Sequence, residues 1–235
     1  MKTQWIAVFL LVFSPLCFLN AASKKEVPFP KTDPATIGLL YQILKVADIE
    51  LTDHGIPYWL DFGTLLEALR HQGIIPWDDD VDISLMIEDR EALRALAPVF
   101  AAYGLHLYGN GDPNNQDLFR LCRFGAPFPW VDIFIQEMRP NRDIRPIGRV
   151  TSWFPKAVWY EDEVTIQEKV PFGPLMLSVC ATGNLRHLCA LYGNDCMETA
   201  YLWNMHSGGN QQVKVSLYDF SPAEYVSDGS IIDLP

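Results

Sequence analysis

Tyr58-Trp-Leu-Asp-Phe-Gly-Thr-Leu-Leu-Glu-Ala-Leu-Arg-His-Gln-Gly-Ile-Ile-Pro-Trp-Asp-Asp-Asp-Val-Asp82 is the stretch on which the reading of this chain turns. At its end, in Asp80-Val81-Asp82-Ile83, carboxylates alternate with branched apolar residues. On an extended strand both acids point to one face while Val81 and Ile83 pack on the other. Two carboxylates side by side repel unless a cation joins them. A hard divalent ion such as Mg²⁺ or Mn²⁺ does so and keeps positions open for waters and substrate phosphates. A solvated acidic run needs no such alternation. Asp78 and Asp79 read as residues that support this pair from behind or contact the helix.

Earlier in the stretch, Pro57 to Leu60 reads as a short strand, and Thr64 to His71 as a helix closed by Gly73. Gly63-Thr64 sits between them. A glycine there lets a phosphate approach the backbone, and free N–H groups at a helix start favour an anion. Arg70, two turns on, is placed either to reach a phosphate as a fixed cation or to pair with one of the many acids. His71 reads as a helix-end residue, and Trp59 and Trp77 as core or pocket lining. Beyond the stretch, Trp130-Val-Asp-Ile-Phe-Ile135 is a strand too apolar to hold an unpaired Asp132 cheaply, so Asp132 is expected as a third metal ligand or a base.

Asp33 and Pro34 supply an N-cap and a first-turn proline, and Ile37, Leu40, Tyr41, Leu44, Ala47 and Leu51 recur at helical spacing until Gly55. The second strand is expected to continue through Ile83 to Ile87, followed by one helix from Glu88 to Tyr103 stopped by Gly104. Leu105–Tyr108 and Leu118–Phe124 flank Asn110-Gly-Asp-Pro-Asn-Asn as the arms of a hairpin flank its turn. Residues 139–175 lack clear periodicity and read as loops with short strands near Trp153 and Val164. A last helix is expected from Leu185 to Tyr192, ended by Gly193. Short strands mixed with helices, without regular β-α alternation, indicate an α+β sheet domain.

Lys2, an apolar run from Trp5 to Leu19, and then Ala21, Ala22 and Ser23 read as a signal peptide over 1–22, with a charged, proline-rich arm over 23–34 and one catalytic domain over 35–235. The run is shorter than the roughly 20 apolar residues of a membrane span. An uncleaved anchor is the alternative. The expected compartment is the Golgi or ER lumen or the cell exterior, and the periplasm if the chain is bacterial. Cys122, Cys180, Cys189 and Cys196 would remain after cleavage, so one or two disulfides are expected, in any of three full pairings. Zinc on Cys180, His187, Cys189 and Cys196 is the other reading, although the spacing fits no CxxC pattern. The chain has no Asn-x-Ser/Thr sequon. A net charge of −11 argues against nucleic acid as a partner, because a phosphate backbone requires clustered Lys and Arg. With 49% hydrophobic and 20% charged residues, the chain has the profile of a packed globular protein.

Leu60-x-x-Gly-Thr-Leu-Leu, Arg70-His-x-Gly-x-Ile-Pro-Trp-Asp-x-Asp-x-Asp and Val131-Asp-Ile together resemble the LicD family, which includes bacterial phosphocholine transferases and the animal fukutin and fukutin-related proteins. The similarity runs over about residues 35–135, with a fainter echo at Leu185-x-x-Leu-x-x-Leu-Tyr-Gly-Asn-Asp. Where the family often has a proline before its closing helix, this chain has Ser178-Val-Cys180. The resemblance implies a nucleotidyltransferase-like fold, a small mixed sheet flanked by helices. It implies Asp80 and Asp82 as metal-binding carboxylates, Asp132 as the third acid, and Gly63-Thr64 as the phosphate-contacting turn. It further implies a metal-dependent transferase that moves a phosphorylated alcohol from a CDP-activated donor, of the CDP-choline or CDP-ribitol class, to a glycan hydroxyl. Two other readings compete: a nucleotide- or glycan-binding protein that keeps the fold without turnover, and a calcium module on Asp78 to Asp82. The first would be expected to lose one of the three acids, and the second lacks the spaced Asp-x-Asp-x-Asp-Gly-x₅-Glu loop.

Overall fold

The computed structural model describes residues 31–109, 117–204, 209–216 and 221–226. The expected signal peptide, most of the arm and the Asn110–Asn115 turn lie outside them. Helix α1, Pro34–Asp53, opens as its sequence indicates: Asp33 accepts a hydrogen bond from the Thr36 N–H and Pro34 occupies the first turn. Ile37, Leu40, Ile43, Leu44 and Leu51 are fully buried along it. Each such side chain contributes roughly 1.5–3 kcal/mol of transfer free energy, so the apolar face outweighs the cap, which is worth about 1 kcal/mol. Strand β1, Tyr58–Leu60, follows, then α2, Phe62–His71, and β2, Val81–Met86.

The single helix expected from Glu88 to Tyr103 is instead three pieces: a 3₁₀ turn at Ile87–Asp89, α3 at Arg90–Ala95 and α4 at Ala97–Ala102. Pro98 explains the break after Ala95, because it has no N–H to continue the ladder and is tolerated only in the first turn of a new helix. Strands β3, Leu105–Gly109, and β4, Leu118–Arg123, pair antiparallel as expected for a hairpin. Strand β5, Ala126–Met138, is longer than the Trp130–Ile135 core that its composition marks.

Residues 139–175 are more ordered than expected, and the two short strands come out as helical turns. They form β6, Asp143–Pro146; α5, Val150–Trp153; β7, Trp159–Tyr160; and α6, Glu161–Val164, followed by β8, Gln167–Phe172. Strand β8 pairs antiparallel with β9, Leu175–Cys180. The last helix, α7, is Asn184–Tyr192, capped by Gly193 as expected. A further antiparallel pair, β10 at Thr199–Asn204 and β11 at Gly209–Ser216, was not legible in the sequence.

The main sheet has seven strands, with β1-β2-β5-β4-β3 in order and β6 and β7 continuing from β5. Strands β2 and β5 are parallel and the other pairings antiparallel, so the sheet is mixed and the fold α+β. The pleat sorts residues by face. Val81, Ile83, Val131, Ile133, Phe119 and Leu121 join α1 in the main core. Leu118 and Phe134 belong to a second cluster with Phe62, Val150 and Ala157. Asp82, Asp132 and Arg120 share that second face by alternation. Among the described residues no helix is long and apolar enough to cross a membrane.

Candidate functional site

The register of the parallel pair sets Asp82 of β2 directly beside Asp132 of β5. Asp80, two residues before Asp82, completes a group whose ligand oxygens all lie within 4.8 Å of one another. Asp132 is buried and the other two acids are half-buried. Withdrawal from solvent, then repulsion from Asp78, Asp132 and Asp79, pushes the Asp80 carboxyl up to about 8. Burial, then Asp80, Asp132, Asp78 and Asp61, holds Asp82 well above the usual carboxylate range. Asp132 is raised by burial against the opposing hydrogen bond from Arg120. Without a cation such a cluster keeps protons that isolated carboxylates would lose. Its donor set, carboxylate oxygens alone, fits a hard divalent ion such as Mg²⁺ or Mn²⁺. Asp78, Asp79 and Asp80 form a second group that shares Asp80. There Asp78, raised to about 6 chiefly by burial, already accepts the Asp79 N–H, so it belongs partly to its own turn.

The turn into α2 faces these acids. A Cβ on Gly63 would lie 3.5 Å from Asp82 Oδ2 and 3.7 Å from Asp78 Oδ2, so the backbone here runs alongside the carboxylates. The left-handed residue of the turn is Phe62, with φ 45°, rather than Gly63. That conformation is costly for a residue with a side chain. Packing of its ring at 4.6 Å from both Phe134 and Phe154 holds it in place. Thr64 is buried, and its hydroxyl accepts the Asp82 N–H at 2.8 Å, so it anchors the strand that carries Asp82.

Asp61, just before this turn, escaped the sequence reading. It is fully buried and accepts hydrogen bonds from Phe62 N at 2.8 Å, Ser84 Oγ at 2.7 Å, Gln136 Nε2 at 3.3 Å and Trp159 Nε1 at 3.2 Å. His187 Nε2 of α7 lies 2.9 Å from its Oδ1, while His187 Nδ1 donates to Val158 O at 3.0 Å. The Trp159 and His187 rings stack at 4.1 Å. The Asp61 N–H also donates to the Asp82 carbonyl at 3.2 Å. This cluster ties α2, β2, β5, β7 and α7 together beneath the acids. Its one sequence signal was the position of Asp61 at a helix start.

Asp80, Asp82, Asp132, Gly63 and Thr64 thus meet in one place. Arg70 does not face them openly: it is buried, and its Nη1 donates to the carbonyls of Cys196 at 2.7 Å and Thr199 at 3.2 Å, fastening the later chain to α2. Burial lowers its guanidinium to about 10. Trp59 is core, edge-on to Trp159 at 6.4 Å, whereas Trp77 is half-buried beside His71. Tyr192, the last residue of α7, is close enough to Asp82 and Asp78 for burial and their charges to hold its phenol well above its ordinary value. Arg120, also missed in the sequence, donates from Nε to Asp132 Oδ1 at 2.7 Å. The four cysteines are free thiols rather than the expected disulfides, and the groups able to hold a metal among the described residues contain no cysteine or histidine.

An uncharacterized protein of Rickettsia prowazekii is 34% identical over 136 residues, 58% of this chain and 47% of that protein. The human protein named ribitol 5-phosphate transferase FKRP is 41% identical over 58 residues, 25% of this chain and 12% of its own. The Haemophilus influenzae protein named lipopolysaccharide cholinephosphotransferase LicD is 61% identical over 28 residues, 12% of this chain and 11% of its own. The chain spans less than half the length of these relatives. The family model described as LicD/FKTN/FKRP, nucleotidyltransferase domain, matches residues 55–180, from the start of β1 to the end of β9 and more than half of the chain. A match of that extent, running through every acid of the cluster, means that the chain belongs to the LicD, fukutin and fukutin-related family of nucleotidyltransferase domains.

Proposed function

We propose that this chain is a transferase that moves a phosphorylated alcohol from a CDP-activated donor, of the CDP-choline or CDP-ribitol class, to a glycan hydroxyl. The observation that carries the reading is the pairing of Asp82 with Asp132 on adjacent parallel strands, with Asp80 within reach, in a member of this family. The names of its relatives support the class of group transferred, choline phosphate in one and ribitol phosphate in another. Asp80, Asp82 and Asp132 would hold the divalent ion, Mg²⁺ or Mn²⁺. When bound, that ion neutralises donor phosphate oxygens and offsets charge that develops on the leaving group.

The residues themselves divide the remaining work. In the transfer, the acceptor oxygen bonds to the phosphorus next to the alcohol, and the bond from that phosphorus to the bridging oxygen breaks, releasing cytidine monophosphate. The acceptor's proton requires a base within hydrogen-bond reach, and Asp132 is the candidate through a carboxylate oxygen not engaged by the ion. Gly63 keeps the backbone bare where the donor phosphates approach. Thr64 and Asp61 hold Asp82 in register, through its N–H and its carbonyl respectively.

Purified protein incubated with Mg²⁺, a glycan mixture and either CDP-choline or CDP-ribitol, and followed by mass spectrometry, tests the reading. Release of cytidine monophosphate from one donor, lost in Asp82→Asn, is expected. Tight nucleotide binding with no release from either donor would favour the binding protein without turnover.

A further inference from the structure

Three cross-strand registers line up on one face of the sheet. Asp82 pairs with Asp132, Asp132 with Arg120, and Arg120 with Tyr108 of β3. Cross-strand partners share a face and stand about 4.8 Å apart per strand, so a row of carboxylate, carboxylate, guanidinium and phenol crosses four strands from the proposed metal acids outward. After burial, the groups that act on Asp80 and Asp82 are other carboxylates, and the cation that acts on Asp132 is Arg120.

The contacts of Arg120 suit a group that changes partner. Its Nε donates to Asp132 at 2.7 Å, it hydrogen-bonds Tyr108, and its guanidinium lies 4.2 Å above the Trp130 ring. Its side chain is 30% exposed, against 8% for that of Asp132, so the pair sits where the buried acids open to solvent. A guanidinium has five N–H donors, and one Nε bond with a phenol contact leaves donors for a further acceptor. Arg70 is held by backbone carbonyls instead, so Arg120 is the better-placed arginine for an incoming phosphate.

We propose that Arg120 is a donor-phosphate ligand of this site, held on Asp132 until a divalent ion takes over that carboxylate. The inference rests on the reading of Asp80, Asp82 and Asp132 as a metal and donor site. An ion shared by three carboxylates supplies the counter-charge that Arg120 otherwise gives Asp132. The freed fork then matches two phosphate oxygens in its own plane, which a lysine cannot do. The Trp130 face keeps the guanidinium at the rim in either state.

The test uses Arg120→Met and Arg120→Lys with two probes: Mn²⁺ alone, and CDP in saturating Mn²⁺. In Arg120→Met, Mn²⁺ alone should bind about two- to fivefold more tightly, since a partly exposed ion pair no longer competes for Asp132. CDP should bind at least about tenfold more weakly, the loss expected for a charged hydrogen bond. Arg120→Lys should recover part of the CDP affinity, and it carries the test if Arg120→Met fails to fold. A purely structural ion pair would lower both affinities together or neither, and either result overturns the proposal. Wild-type protein and Asp82→Asn separate the two levels of inference. If the wild type binds Mn²⁺ no better than Asp82→Asn does, the metal reading fails. If binding depends on Asp82 but CDP affinity ignores Arg120, the role of Arg120 alone fails.

Discussion

Asp61 and Asp82 are joined by a backbone hydrogen bond of 3.2 Å, yet their carboxylates stand in opposite surroundings. Asp61 is met by the Phe62 N–H, Ser84, Gln136 and Trp159, so its charge is satisfied by fixed donors from within the fold, with His187 Nε2 2.9 Å away. Asp82 is surrounded by Asp80, Asp132 and Asp78, and its carboxyl is raised by burial first and by the charges of those neighbours second. The difference separates a carboxylate that the chain satisfies by itself from one whose counter-charge, a proton or a cation, comes from solution. The first kind belongs to stability, and a buried charge stripped of its partners is strongly destabilising. The second belongs to function, because cations and phosphates relieve what the fold leaves strained.

Substitution by asparagine, which keeps size and removes charge, should drive the two sites apart. In Asp82→Asn, turnover should fall by about three orders of magnitude, the scale of several kcal/mol of lost charge stabilisation. Its metal-free unfolding midpoint should stay level or rise, since one of the repelling acids is gone. In Asp61→Asn an NH₂ group faces buried N–H and O–H donors in place of an oxygen, so the loss should appear in stability instead, at about 2–4 kcal/mol or on the order of 10 °C for a chain of this size. Calorimetric scans of both proteins without metal check the contrast, and a fall in Asp82→Asn to match that in Asp61→Asn would erase it.

Thr64 lies between the two regions and sharpens the comparison with a smaller effect. Thr64→Val removes the acceptor of the Asp82 N–H, a cost of about 1–2 kcal/mol, and should weaken Mn²⁺ binding by roughly tenfold, as loss of support for a metal ligand usually does. Thr64→Ser keeps the hydroxyl and should restore most of that affinity. Equal Mn²⁺ affinity in Thr64→Val and the wild type would remove Thr64 from the support of the acids.

A further expectation, which needs no substitution, concerns pH dependence. Folded Asp80 and Asp78 carboxyls are raised to about 8 and about 6, against an unfolded value of about 3.9. Between those values the folded chain holds more protons than the unfolded one, so metal-free stability should fall as pH rises from about 4 towards 8. A metal displaces those protons, so stabilisation by Mg²⁺ should grow over the same interval. Thermal scans from about pH 5 to about pH 8.5 check this, and a metal effect that shrinks as pH rises would contradict the picture.

The two regions also differ in how legible they were. Asp80, Asp82 and Asp132 stood out because alternation along the chain is a local pattern; Asp82 and Asp132 stand on strands that pair in register, with Asp80 just before the first of them. The partners of Asp61 lie at 84, 136, 159 and 187, on separate elements, and local periodicity carries no sign of such a cluster. Arg120 sits in Leu118-Phe-Arg-Leu-Cys-Arg123, where it reads as an ordinary outward residue; its importance comes from the pairing of β4 with β5. The break at Pro98 was readable from proline chemistry alone. Strand β8 was obscured by Pro171 and by its largely exposed face, both of which weigh against a strand in sequence.

The central claim, that Asp80, Asp82 and Asp132 form one site shared by metal and donor, is tested most directly by thermal unfolding with Mg²⁺, with CDP, and with both, in wild-type protein and Asp80→Asn. Metal relieves the repulsion and the diphosphate completes its ligands, so each should tighten the other by the same factor, with a coupling of roughly 1–3 kcal/mol. Ligands that bind only the folded state raise its unfolding temperature. The predicted result is a combined shift in the wild type larger than the sum of the separate shifts, with the excess lost in Asp80→Asn. A combined shift no larger than that sum, or an excess that survives Asp80→Asn, would contradict the shared site.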